Sequence, residues 1–370
     1  MVSTNLFARG IFLSNGVLLD KTIESIGSLD EGAMAQARAR QDRLTKPAGS
    51  LGRLEDLSVQ LAGIQRRPDP VVKDKAVVVM AGDHGVVAEG TSAYPQAVTA
   101  QMVLNFLRGG AGINVIARQV GARVVVVDMG VAEQIPSHPQ LLSRRIRSGT
   151  SNMVLGPAMS EAEATKALET GIEIVADLAT SGLDIVGTGD MGIGNTTSSA
   201  AICAAMTGLK PTEVTGRGTG IGDDQLRHKT AIIEKALKVN GPDAKKPLSV
   251  LAKVGGFEIA GLAGVMLGAG ARRVPVVVDG FISGAAALIA AGLAPNLRGF
   301  LIAGHVSVEQ GHKVALRHLG LAPLVDLGMR LGEGTGAAIG MFLCETAAKI
   351  LAEMATFDEA GVSERSEPAA

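Results

Sequence analysis

Residues 183–207, LDIVGTGDMGIGNTTSSAAICAAMT, decide the fold. Leu183 to Val186 form a short apolar run that reads as a buried strand. Gly187, Gly189, Gly192 and Gly194 follow, then Asn195, Thr196, Thr197 and a run of small residues that reads as a helix. Glycine lets a backbone come close to a ligand. The open N–H groups at a helix start, with the positive end of its dipole, favour an anion. Threonine hydroxyls add donors. The stretch therefore reads as a turn that holds a phosphate; the alternative is a tight glycine turn with no ligand. Residues 187–192 also fit G-x-G-x-x-G, with Glu213 about twenty residues on, but a dinucleotide fingerprint needs that acid at the end of a second strand. Glu213 lies in KPTEVTGRGTG, with no apolar run before it. No G-x-x-x-x-G-K-[ST] occurs, which excludes a P-loop.

The same arrangement recurs outward from this stretch. AVVVMAGDHG (76–85), RVVVVDMG (123–130), VPVVVDG (274–280) and FLIAGHVS (300–307) are apolar runs ending in polar or glycine-rich turns. Helical patterns at 97–107, 160–179, 223–238, 257–268 and 281–292 separate them, and two more, at 30–44 and 53–65, precede them. Continuous apolar strands alternating with helices predict a parallel sheet covered on both faces. The expected fold is α/β: three layers, α/β/α, with a mainly parallel Rossmann-like sheet. Right-handed crossovers put all strand C-termini along one edge, where open α/β sheets bind ligands. Asp83, His84, Asp128, Asp190, Asp279 and His305 fall on or near that edge. For any one of them a turn or N-cap acid is the commoner role, but five such turns on one edge read as a site.

Three other stretches carry chemistry-bearing residues. In LGEGTGAAIGMFLCETAAKIL (331–351), Glu333 sits between two glycines just before a helix that begins near Thr335. It either complements the helix dipole or presents its carboxylate to a ligand. VTGRGTGIGDDQLRHKTAIIEKAL (214–237) is a second glycine-rich loop leading into a helix, with Asp223 as the expected N-cap. Lys229 lies on the apolar stripe of Leu226, Ile233 and Leu237, where lysine snorkels to solvent or meets an anion. The segment 81–110 carries Asp83, His84, Ser92, Tyr94 and Gln101 around a long turn. The six histidines show no metal-ligand spacing, and there is no G-x-S-x-G elbow, so neither a metal site nor acyl-enzyme chemistry is expected.

Composition narrows the class. The 370 residues are 46% hydrophobic and 19% charged, enough for one large α/β domain with a smaller appendage. A net charge of −1 gives no electrostatic footprint for nucleic acid, and eight Phe, one Tyr and no Trp leave little for base stacking. Cys203 and Cys344 fall in apolar helical patterns and read as core thiols in a reducing compartment. The start, MVSTNLFARGIFLSNGVLLDK, lacks a charged segment followed by a sustained apolar core, and no run of about 18 unbroken apolar residues appears. A cytoplasmic protein with no membrane contact is expected. Residues 1–30 are of mixed character, suited to packing on a neighbour or a helical part. The polar tail from Asp358 is expected to fray.

Taken together, GDHGV (82–86), SAYPQAVTAQM (92–102), GTGDMGIGNTT (187–197), GRGTGI (216–221), VDGFISGAAAL (278–288) and LGEGTGAA (331–338) resemble the nicotinate-nucleotide:dimethylbenzimidazole phosphoribosyltransferase family. Their order and spacing fit across roughly residues 40–355. The resemblance implies transfer of phosphoribose from nicotinate mononucleotide to 5,6-dimethylbenzimidazole. The products are nicotinate and α-ribazole 5′-phosphate, which supplies the lower ligand of cobalamin. It implies Glu333 as general base. The phosphate would be held by the loop carrying Asp190, Gly192, Gly194, Asn195, Thr196 and Thr197. Gly218, Lys229, Asp279, Asp83 and His84 would line the substrate site, with Ser92, Tyr94 and Gln101 around the aromatic base. It also implies a homodimer, with a catalytic domain over 70–340 and a smaller helical part made from 1–69 and 341–370. The chain departs from the family pattern at Asp190, where Glu is expected. The reaction has no pyrophosphate leaving group, so no metal or other cofactor is expected. Two alternatives stand beside it: a relative that prefers another acceptor, such as adenine or a phenol, and a nucleotide-binding sensor that needs no Glu333.

Overall fold

The computed structural model describes residues 16–218 and 220–363. Expectations for residues 1–15 and for the tail beyond 363 lie outside the described residues. Six strands form one parallel sheet in the order β3-β2-β1-β4-β5-β6: β1 Lys75–Gly82, β2 Ala122–Gly130, β3 Leu141–Ser143, β4 Ile185–Met191, β5 Val276–Val278 and β6 Leu301–Ala303. The five apolar runs are the five strands β1, β2, β4, β5 and β6. The edge strand β3, three residues long and partly exposed, has no comparable run behind it and was not expected.

Strand side chains alternate between faces, and β1 shows how this builds two cores. Ala76, Val78 and Met80 join Val127 and Met129 under the helices Glu161–Ala179, Phe257–Ala271, Asn195–Thr207 and Phe281–Leu293. Val77, Val79 and Ala81 join Val126, Ile185 and Ile302 under the helices Val98–Leu107, Gly112–Val120 and Thr335–Glu353. The layers are therefore α/β/α. The helix Thr335–Glu353 is long and apolar enough to cross a bilayer, but more than half of it is buried against the sheet, as a core helix is.

The helices Glu31–Arg43 and Arg53–Gln65 meet the C-terminal end of Thr335–Glu353 in a small cluster of Ala37, Val59, Ala62 and Leu351. An antiparallel bridge between Leu44 and Thr356 ties the same two regions. Of the segment expected to fray, the first residues instead form a short helix, Phe357–Ala360, because Thr356 and Glu359 cap it reciprocally. At the other end, Glu169 Oε1 accepts the N–H groups of Gly16, Leu18 and Leu19, docking the first helix, Val17–Ser25.

The sheet order reverses between β1 and β4. From β1 the chain winds one way through β2 and β3, then returns to build β4, β5 and β6 on the other side. A crevice at the C-terminal ends of the strands, at such a switch point, is where this class of sheet binds ligands.

Candidate active site

A cavity of about 430 Å³ opens at that edge. Asp190 at the end of β4, His305 after β6 and Glu333 before the last long helix supply polar groups. Val98, Met102, Phe281 and Leu331 supply apolar wall. A narrow recess shares Gly192, Ile193, Asn195 and Thr196 with it and is closed by Ser92, Gly194, Arg217 and Lys229.

The recess is built by the turn after β4. The helix Asn195–Thr207 starts from Gly194 in a left-handed conformation (φ 94°), and no side chain caps it. Lys229 reaches this point from the helix Asp223–Asn240, and its ammonium donates to Thr196 Oγ1 at 2.8 Å. The side chain is almost fully buried, and that burial lowers its pKa to about 8, against the opposing pull of Glu309. Of the two options open to Lys229, snorkelling or meeting an anion, the structure takes the one that points at the recess. Asp223, the expected N-cap of this helix, is instead its first residue after Gly222 and pairs with Arg217.

Glu333 has φ 62° and lies between Gly332 (φ 79°) and Gly334 (φ 91°). Three successive left-handed residues are costly unless the surroundings fix them. Two anchors do so. Glu333 Oε2 accepts the N–H of Ile113 at 3.1 Å, in the first turn of the helix Gly112–Val120. Asp279 accepts the N–H groups of Gly334 (3.1 Å), Gly336 (2.7 Å) and Ala337 (3.0 Å). Burial, and then the charge of Asp279, push the Glu333 carboxyl above the usual range. The side chain faces the cavity.

Asp190 faces the same space. Its Oδ2 accepts from Asn195 Nδ2 at 2.9 Å, while Oδ1 is buried without a partner among the described residues. Burial first, then the neighbouring carboxylates of Asp279 and Glu258, hold its carboxyl well above the usual range.

Several expected site residues stand behind the cavity instead. Asp83 is consumed by the protein: Oδ1 accepts from Thr99 Oγ1 (2.7 Å) and Oδ2 from the N–H of Ala132 (2.7 Å). His84 lies between Glu258 Oε1 (2.6 Å from Nε2) and Ser198 Oγ (2.9 Å from Nδ1), with no exposed surface. Both brace the turn from below, since Thr99 Oγ1 also accepts the N–H of Ile193. Asp279 is likewise fully buried under the Glu333 turn, Asp128 caps Gly130 and Val131, and Thr197 is buried behind Thr196. Gln101 points to solvent from the helix Val98–Leu107, whose Val98 and Met102 do line the cavity. Ser92, Tyr94 and Gly218 border the cavity or its recess.

A phosphoribosyltransferase family profile matches residues 26–362. The chain is 62% identical over 346 residues to the nicotinate-nucleotide–dimethylbenzimidazole phosphoribosyltransferase of Roseiflexus sp., covering 94% of this chain and 98% of that one. It is 60% identical over 347 residues to the Desulforudis audaxviator protein of the same name, with the same coverages. The chain belongs to this phosphoribosyltransferase family. Among solved structures, CobT from Thermus thermophilus matches it with a TM-score of 0.87 at 50% identity, over 90% of this chain and 100% of that one.

Three polar side chains of the cavity were not picked out by sequence reasoning: Ser307, Glu309 and Arg330. Ser307 and Glu309 follow β6 in GHVSVEQG (304–311), so an acid just past a predicted strand end was the available signal. Arg330 lies in an irregular segment without periodicity, and nothing in the sequence marks it.

Proposed function

We propose that this phosphoribosyltransferase moves phosphoribose from nicotinate mononucleotide to 5,6-dimethylbenzimidazole, with inversion at C1′ and Glu333 as general base. The product, α-ribazole 5′-phosphate, supplies the lower ligand of cobalamin. The observation that carries the reading is Glu333, a carboxylate held on a strained left-handed turn, facing a cavity with an anion-binding recess beside it.

The chemistry follows from the substrates. The pyridine nitrogen of nicotinate mononucleotide is cationic, so nicotinate leaves C1′ as a neutral ring without a general acid. One benzimidazole nitrogen attacks C1′ from the opposite face, turning the β-nucleotide into an α-product. The other nitrogen then sheds its proton to Glu333, a step in which a positioned base gives about 10²–10⁴-fold. Holding both substrates in line contributes on the order of 7–11 kcal/mol more. The phosphate fits the recess of Gly192, Gly194, Asn195, Thr196 and Lys229, and the aromatic rings fit the wall around Tyr94, Val98 and Met102.

We also assign catalysis to a large domain over 70–340, a homodimeric assembly and a cytoplasmic setting. Val115 and Phe342, each more than half exposed on two helices that pack together, support a covered face. Light scattering then reads twice the chain mass of 37.8 kDa. The reaction is tested by incubating the protein with both substrates and following nicotinate release, with the anomer of the product assigned by NMR. No release with this acceptor, or a β-product, overturns the proposal.

A further inference from the structure

Glu309 is a buried acid that the reaction as written does not use. It sits just after β6, at the N-cap position of the helix Gln310–Leu319, and is 7% exposed. Its backbone is fixed on both sides. Its own N–H donates to Ser307 Oγ (3.3 Å), and the N–H of Ser307 donates to His312 Nδ1 (2.9 Å). Val308 N–H donates to Met329 O (3.2 Å).

The carboxylate points under the second glycine loop. Oε1 accepts the N–H of Gly218 at 2.9 Å, and Oε2 has no partner among the described residues. Gly216 rests so closely on the carboxylate that a Cβ there would lie 1.9 Å from Oε2. On its other side the same loop abuts the recess. A Cβ on Gly218 would lie 3.0 Å from Thr196 Oγ1 and 3.3 Å from Lys229 Nζ. The Gly218 backbone is thus the layer between Glu309 and the buried ammonium.

Few charges surround Lys229. Arg217, on the loop, is engaged by Asp223 and by Ile221 O; Arg330 donates to Gly218 O; Asp190 holds Asn195 across the turn. The charge of Glu309 acts on Lys229 to favour its charged form, against the burial that disfavours it. A buried ammonium without such a neighbour loses its proton readily.

Building on the phosphate-recess reading, we propose that Glu309 is a positioning residue, which clamps the Gly216–Gly218 segment over the recess and keeps Lys229 charged to receive the phosphate. It acts through the loop and through Lys229. Its carboxylate does two separable things, one through a hydrogen bond to Gly218 and one through charge on Lys229, and substitutions can divide them.

The first test needs no substrate. With lysines ¹³C-labelled at Cε, the Lys229 signal, assigned by its loss in Lys229→Arg, is titrated by NMR in the wild type, Glu309→Gln and Glu309→Asp. Glutamine keeps an acceptor for Gly218 but removes the charge, so its Lys229 midpoint drops by about one pH unit, the low end for loss of a nearby opposite charge. Aspartate keeps the charge and loses reach, so its midpoint stays closer to wild type. An unchanged midpoint in Glu309→Gln overturns the proposal, because a merely structural role leaves the Lys229 titration alone. The second test is the pH profile of kcat/KM for nicotinate mononucleotide. In Glu309→Gln its alkaline limb moves to lower pH, and a limb that stays in place counts against the proposal. A moved NMR midpoint in a protein that releases no nicotinate overturns the proposed reaction and leaves the role of Glu309 standing.

Discussion

Asp279 accepts the backbone N–H of Gly334 at 3.1 Å, one residue past Glu333, and so fixes the turn that carries the carboxylate. Asp279 makes two further bonds of this kind, to Gly336 and Ala337, at the open end of the helix Thr335–Glu353. An acid placed there also complements the helix dipole. Asp279→Asn keeps the shape, but its amide has only one oxygen to accept with. The expected result is a loss of about 1–3 kcal/mol of stability, the usual scale for buried groups left short of a partner. A fall in kcat larger than the rise in KM should accompany it. Thermal unfolding and steady-state kinetics check both; unchanged kcat would show that the turn keeps its shape without this anchor.

Glu333→Gln removes the proposed base and keeps the size. Nicotinate release should fall by about 10²–10⁴-fold, with KM for either substrate changed little. The pH profile gives an independent check. The Glu333 carboxyl titrates above its ordinary value, through burial and then the charge of Asp279, and it must be ionised to act. Wild-type kcat/KM therefore falls as pH drops through a midpoint above about 4.3, the unperturbed value for glutamate. That acid limb should be absent from whatever activity the Gln variant retains.

Asp190 makes a prediction about stability. Its folded carboxyl holds a proton at pH values where the unfolded chain has released it. The folded state then binds more protons, so stability falls as pH rises through the folded-state pKa, and the contribution is complete only below the unfolded value near about 3.9. Asp190→Asn removes this loss. Its melting temperature should exceed that of wild type increasingly as pH rises from about 4. Each pK unit of such a shift is worth about 1.4 kcal/mol. A constant offset between the two melting curves across that range would sink the assignment.

Lys229→Ala should raise KM for the nucleotide by roughly 10–100-fold, the scale of a charged hydrogen bond, with a smaller effect on kcat. Because burial lowers the Lys229 pKa to about 8, wild-type kcat/KM should also decline as pH rises past that value. The decline should vanish in the variant. Its persistence would assign the alkaline limb to another group.

How far the sequence reveals the site depends on what each residue bonds to. The strands were legible because buried parallel strands are unbroken apolar runs, as Lys75–Gly82 and Ala122–Gly130 are. Leu141–Ser143 was not, since its place rests on backbone pairing with β2. The strand-end acids and histidines were correctly placed on one edge, but spacing along a strand does not say which way a side chain turns. Asp83 and His84 turn inward because N–H and hydroxyl donors wait for them there. Glu309 was missed because a lone acid just past a strand end reads the same whether it starts a helix or serves a site.

The glycines of β4 show a role that motif matching misassigns. Gly187 and Gly189 fit the start of a phosphate-binding pattern, yet they lie within the strand, opposite Val77 and Val79 of β1. A Cβ on Gly189 would stand 2.4 Å from the carbonyl oxygen of Glu333 and 2.8 Å from Gly334 N, both backbone atoms that cannot swing away. The missing side chain is what lets the Glu333 turn lie directly on the strand, a contact of packing. Gly189→Ala should therefore lift the Glu333 turn, at a cost of about 1–3 kcal/mol, the range for overpacking a tight interior. Moving the base by even an ångström should lower kcat about 10²-fold. The phosphate recess lies beyond the turn at Gly192–Thr196, so affinity for the nucleotide should hold. Gly156→Ala, where nothing lies within 4 Å, is the matched control. If Gly189→Ala weakens nucleotide binding and spares kcat, the glycine serves the phosphate after all and the packing account is wrong.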